Sequence, residues 1–176
     1  MSRHGGERPP PDAATSLEVA LRFLGSRPRT QRELTDRLRR AGAEDATVEA
    51  TIDRLRELRY VDDAAFARWW SEQRDRHAPR GRRLIEAELR QKGVPREVIE
   101  QLRDEPAERL PEDAALPETD DDRAAVALEQ HLRGRPMPDD PKALQRLGMF
   151  LMRRGFDPET ARRTIRRRMA GEPSDG

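Results

Sequence analysis

Three times along this chain an aliphatic residue stands eight and four positions before a glycine: Leu34, Leu38 and Gly42; Ile85, Leu89 and Gly93; Leu147, Leu151 and Gly155. A spacing of four stacks side chains on one helix face, and a glycine just beyond them adopts the left-handed conformation that closes a helix. After each glycine a second helix begins: Asp45 ahead of Val48 and Ile52, Pro95 ahead of Val98 and Leu102, Asp157-Pro158 ahead of Ala161 and Ile165. Before each glycine-ended helix lies a further apolar run, Leu17 to Leu24, Phe66 to Trp70 and Ala124 to Leu132. The chain is therefore expected to be all-α, three tandem repeats of three helices. Each unit is too small to bury much alone, so neighbours must stack.

Composition agrees with small units rather than one large core. Hydrophobic residues make up 34% and charged residues 39%, against roughly 45–50% and 25% in ordinary globular chains. Helices that bury a narrow stripe and expose a wide charged face account for that balance. There is no cysteine, which excludes disulfides, thiolate zinc sites and cysteine nucleophiles and points to a reducing compartment. Met1 to Thr15 has no apolar core of the signal-peptide kind, and no run approaches the roughly 20 apolar residues that span a bilayer. The expectation is a soluble cytoplasmic protein with no membrane partner.

Residues 1–14, with Gly5, Gly6, Pro9, Pro10 and Pro11, are expected to form a disordered tail. The first repeat is expected over 15–60. It opens on a Thr15–Glu18 capping box ahead of Leu17, Ala20, Leu21 and Leu24; a second box, Thr30–Glu33, precedes Leu34 and Leu38. Its third helix runs from about Asp45 through Val48, Ile52, Leu55 and Leu58. The second repeat covers 61–102 and the third 119–170, with 171–176 a second tail. Between them, 103–118 reads as a linker, since Pro106, Pro111 and Pro117 punctuate a stretch rich in Glu and Asp.

Residues that could carry catalysis or hold a metal are sparse. His4, His77 and His131 stand without a spaced second ligand, and Gly5-Gly6 does not lie between a strand and a helix as a phosphate loop would. Asp62 and Asp63 are adjacent carboxylates, but Asp62 reads as the N-cap of the helix carrying Phe66, Trp69 and Trp70. Trp69 and Phe66, at helical spacing, point inward as core or inter-repeat packing. No cofactor and no enzymatic activity are expected.

Two stretches are strongly basic. Arg74, Arg76, Arg80, Arg82, Arg83, Arg90, Lys92 and Arg96 face only three nearby acids, and Arg153, Arg154, Arg162, Arg163, Arg166, Arg167 and Arg168 face only Asp157 and Glu159. A charge run is ordinarily a solvated helix face. Two excesses of about five charges each also have the form of an electrostatic footprint for nucleic acid or an acidic protein surface.

The run Tyr60-Val61-Asp62-Asp63-Ala64-Ala65-Phe66-Ala67, followed by Arg80-Gly81-Arg82-Arg83-Leu84-Ile85 and Leu89-Arg90-Gln91-Lys92-Gly93-Val94, resembles the central signature of the RecX family of bacterial regulatory proteins. Phe150-Leu151-Met152-Arg153-Arg154-Gly155-Phe156 resembles that family's third-repeat signature, and the likeness extends from about Leu17 to Met169. The linker looks longer than the family's usual junction and the N-terminal tail is extra. The resemblance implies an elongated, curved helical array without enzyme activity. It also implies a modulator, usually an inhibitor, of the RecA recombinase that lodges in the groove of the RecA filament on single-stranded DNA, in recombination, repair and the SOS response. Joined to the charge map, it makes Arg80, Arg82, Arg83 and Lys92, with Arg153, Arg162, Arg163 and Arg166, the candidate contacts to filament protein and DNA. Nothing resembles a dimer seam, so a monomer is expected. The alternative is a helix-turn-helix transcriptional regulator, yet no second helix opens on a dense Arg, Asn and Gln set able to read base edges.

Overall fold

The computed structural model describes residues 9–104 and 116–171. Nine α-helices and no strand lie among them: α1 Ala13–Leu24, α2 Gln31–Arg40, α3 Asp45–Glu57, α4 Asp63–His77, α5 Arg82–Gln91, α6 Arg96–Asp104, α7 Asp120–Leu132, α8 Pro141–Arg153 and α9 Pro158–Ala170. None is long and apolar enough to cross a membrane. They group in threes, and the main helix–helix packing lies within each group: α1 with α2 and α3, α4 with α5 and α6, α7 with α8 and α9.

Each repeat closes its own core. Leu38, Leu89 and Leu151 are fully buried, each stabilising its unit by about 1.5–3 kcal/mol through loss of apolar surface to water. Gly42, Gly93 and Gly155 have φ of +89°, +83° and +90°. Just beyond them, Ala43, Val94 and Phe156 donate their N–H to the carbonyls of Leu38, Leu89 and Leu151 at 3.1, 3.0 and 3.3 Å. That reach of five residues is the Schellman closure, and it turns each buried leucine into the anchor of both a core and a helix end.

The Thr30–Glu33 capping box forms as expected, and Asp62 caps α4 by accepting from Ala64 and Ala65. The first helix differs from expectation. It is capped by Asp12, which accepts the Thr15 N–H at 2.8 Å, so α1 begins at Ala13 and Thr15–Glu18 is no box. Asp12 prevails because its side chain accepts the Thr15 N–H just after Pro9-Pro10-Pro11, a run through which a helix cannot extend back, and because Ala13 and Ala14 favour helix. Leu58 stands 42% exposed, since α3 ends at Glu57 and Arg59 turns left-handed. Arg103, expected to open the linker, lies in α6 and pairs with Glu86, while Pro117 is buried. Most of the expected linker and both chain ends, 1–8, 105–115 and 172–176, fall outside the described residues.

The repeats meet through helix ends, and the two junctions use the same parts. Thr30, N-cap of α2, donates its hydroxyl to the carbonyl of Lys92, C-cap of α5, at 2.7 Å. Gly81, N-cap of α5, donates its N–H to the carbonyl of Arg154, C-cap of α8, at 2.9 Å. The negative end of one middle helix thus meets the positive end of the preceding one, twice, an arrangement their dipoles favour. In each case the first residue of the next repeat's opening helix, α4 or α7, supplies a second cap: Asp63 accepts the Gln31 N–H at 2.9 Å, and Asp120 accepts the Arg82 N–H at 3.1 Å. The series stops at α8, whose first residue is Pro141 and has no N–H to offer.

Candidate interaction face

Three of the eight candidate residues come together at the junction of the second and third repeats. Arg82 and Arg83 begin α5, which meets the end of α8 through Gly81 and Arg154, so they sit across the junction from Arg153. All three are exposed; the charge of Arg82 acts on Glu86, but none of the three makes a described ion pair within 4 Å. The approach is close because position 81 has no side chain: a Cβ there would overlap the Gly155 carbonyl group and lie 2.7 Å from the Phe156 nitrogen.

The other five are placed differently. Arg80 is half-buried against the Glu88 carboxylate. Burial depresses its guanidinium, as do the like charges of Arg74 and Arg154. Lys92 lies in the junction of the first and second repeats, its ammonium 4.1 Å from the centre of the Trp70 ring. Arg163 is a structural residue: it makes bidentate bonds to Asp121 at 2.6–3.1 Å and so ties α9 to α7. Arg162 and Arg166 are exposed on α9, which packs on α7 and α8. No described contact takes either of them to the junction.

The structure adds cations beyond the eight candidates: Arg74 and Arg154 from the basic runs, and Arg27, Arg29, Arg133 and Arg135 from outside them. Burial lowers Lys92, and so do the charges of Arg27, Arg74 and Arg29; burial lowers His131, together with Arg135, Arg154, Arg133 and Arg153. Taken with Arg80, these neighbours link into one belt that passes from Arg27 and Arg29 in the first repeat, through Arg74 and Arg80, to Arg154, Arg153 and Arg133 in the third. Arg154 was legible in the repeat register, since it precedes Gly155 as Lys92 precedes Gly93. Arg74 stood in the first basic run and four residues after Trp70, over whose ring its guanidinium carbon lies at 4.3 Å.

Other arginines, Arg27 of this belt among them, are paired with carboxylates. In the first repeat Arg27, Arg39, Arg54 and Arg56 each hold a carboxylate, Glu33, Asp45, Glu57 and Asp53, at 2.7–3.0 Å. The third repeat carries twelve basic against eight acidic residues over 119–170.

Comparison with known proteins accords with this architecture. Residues 17–55, 62–102 and 118–165 match the first, second and third three-helix domains of RecX. The chain is 37% identical over 172 residues to the regulatory protein RecX of Thermobifida fusca (strain YX), spanning 96% of this chain and 86% of that protein. It is 34% identical to that of Prosthecochloris aestuarii (strain DSM 271 / SK 413), over 88% of this chain and 93% of the relative. In fold it matches the crystal structure of RecX from Lactobacillus salivarius with a TM-score of 0.72 at 17% identity, covering 90% of this chain and 97% of that one. The three repeats, their shared signatures and these relatives together establish that the chain belongs to the RecX family of regulatory proteins.

Proposed function

We propose that this protein binds the RecA filament on single-stranded DNA in the cytoplasm and holds down its recombinase and ATPase activity, as a monomer without cofactor. The observation that carries the reading is the run of cations across both repeat junctions, in which Arg82, Arg83 and Arg153 stand exposed outside the ion pairs that hold Arg27, Arg74 and Arg80. A filament groove is long and presents both protein surface and phosphate. A series of repeats joined end to end can follow it, and many weak contacts add because one chain connects them. The transcriptional alternative gains no support: α3, α6 and α9 carry Asp45, Glu97 and Glu159 in their first turns, where a base-reading helix would meet phosphate.

The test reverses Arg82 and Arg83 to Glu and measures binding to RecA filaments, with filament ATP hydrolysis as a second readout. Helicity is expected to hold, while binding weakens roughly tenfold or more at low salt, and by less as salt screens both proteins. Reversal of Arg22, exposed on α1, is the control. Binding by the double variant that equals the wild type at low and moderate salt refutes the assignment.

A further inference from the structure

Between the first and second repeats, α2, α4 and α5 enclose a cleft of about 530 Å³. Its carboxylates are already engaged. Glu88 accepts from the Trp70 indole N–H and from Arg74, both at 2.8 Å, and Arg80 lies against its other oxygen. Glu33 is held by Arg27 at 2.7 Å and by the Thr30 N–H at 3.2 Å. Lys92 is held more loosely, in an ion pair with Glu33 that is too long for a hydrogen bond. Its side chain is only 21% exposed, its nearest carboxylate oxygen, on Glu33, stands 3.8 Å away, and the Trp70 ring fixes it from one side without accepting a conventional hydrogen bond. Arg32 stands on the rim, its Nε 4.0 Å from Asp36.

We propose that this cleft is a docking site for a single acidic side chain, Asp or Glu, presented by a protein partner, with Lys92 and Arg32 receiving the carboxylate. The ammonium is positioned in advance by Trp70, so little ordering cost remains when an acceptor arrives. The choice of a carboxylate over a nucleic-acid backbone follows from the walls. Glu33 and Asp36 leave room for one compact negative charge, whereas successive phosphates would place further charge against them. A peptide brings one acid flanked by neutral amides, which the Gln91 side chain lining the cleft can meet. The proposal rests on the filament reading only for which protein supplies the acid. It divides the belt into two parts: the first junction reads protein, and the open arginines of the second meet phosphate.

The cleft contains its own reporter. With Trp69 changed to Phe, Trp70 is the sole remaining tryptophan of the two. The full-length protein is titrated with a capped peptide carrying a single glutamate flanked by neutral residues and, separately, with an oligothymidylate. The peptide is expected to change Trp70 emission saturably, and Lys92→Met, which keeps the alkyl chain over the ring, should weaken that response about tenfold. Far-UV helicity checks the fold of each variant. No saturable change with peptide overturns the proposal, and so does an equal, Lys92-dependent change with oligothymidylate, which would make this a phosphate site. Against RecA filaments, Lys92→Met should weaken binding while leaving affinity for bare oligothymidylate unchanged; equal losses on both also overturn it. Failure of the wild type to bind filaments refutes the proposed function and leaves the peptide titration to decide the cleft.

Discussion

The third repeat is held to the second by a buried ion pair whose removal should be measurable residue by residue. Arg123 on α7 makes two bonds to Asp75 on α4, at 2.7 and 3.0 Å, with side chains 11% and 4% exposed. Arg123→Met leaves the Asp75 carboxylate buried without a cation, a loss of about 3–5 kcal/mol for stranded buried charges. Asp75→Leu costs less, about 1–3 kcal/mol, because Arg123 still reaches Asp120 at 3.4 Å. The double variant removes both charges together and should lie close to wild type, giving a coupling energy of about 4–8 kcal/mol in the cycle, the sum of the two single losses. Urea unfolding is followed by far-UV circular dichroism, which sees all helices, and by tryptophan emission, which sees only the second repeat because both tryptophans lie on α4. For Arg123→Met the helical signal should begin to fall before the emission does. Single variants that each cost under about 1 kcal/mol and add in the double would show that the pair behaves like an exposed one, refuting the idea of a lock.

Gly81→Ala should cost about 1–3 kcal/mol and lengthen the molecule in small-angle scattering, since its φ of −63° suits alanine and only the overlap with Gly155 opposes it; an unchanged radius of gyration would contradict this. Glu86 is held below its ordinary value of 4.5 by the Arg103 hydrogen bond first, against burial, and then by the charges of Arg103 and Arg90. Its contribution is therefore complete above that value and lost as pH falls through the lower folded value, so melting temperatures of wild type and Glu86→Gln should differ at neutral pH and converge in acid. A gap that persists in acid would assign the stabilisation to packing instead.

What could be read from the chain by itself was local. The buried leucine, the glycine four residues on and the N–H five residues from the leucine act within one helix end, so Leu38–Gly42, Leu89–Gly93 and Leu151–Gly155 declare the fold three times without reference to anything distant. Caps such as Thr30 and Asp62 reach only two or three residues, and they too stood in plain view. The start of α1 was misplaced because Asp12 and Thr15 are both competent caps, and the choice rests on how far helix can extend back towards Pro11. Charge was the part that spacing could not sort. Arg163 and Arg82 look alike in the sequence, yet Asp121, 42 residues away, takes the side chain of the first. Asp120 takes only the backbone N–H of the second, whose side chain is exposed. Likewise Asp63, next to a true N-cap, serves a helix in the preceding repeat. An ion pair needs its partners within about 4 Å, and which of 35 cations meets which of 34 carboxylates is decided only when the helix ends of neighbouring repeats come into contact.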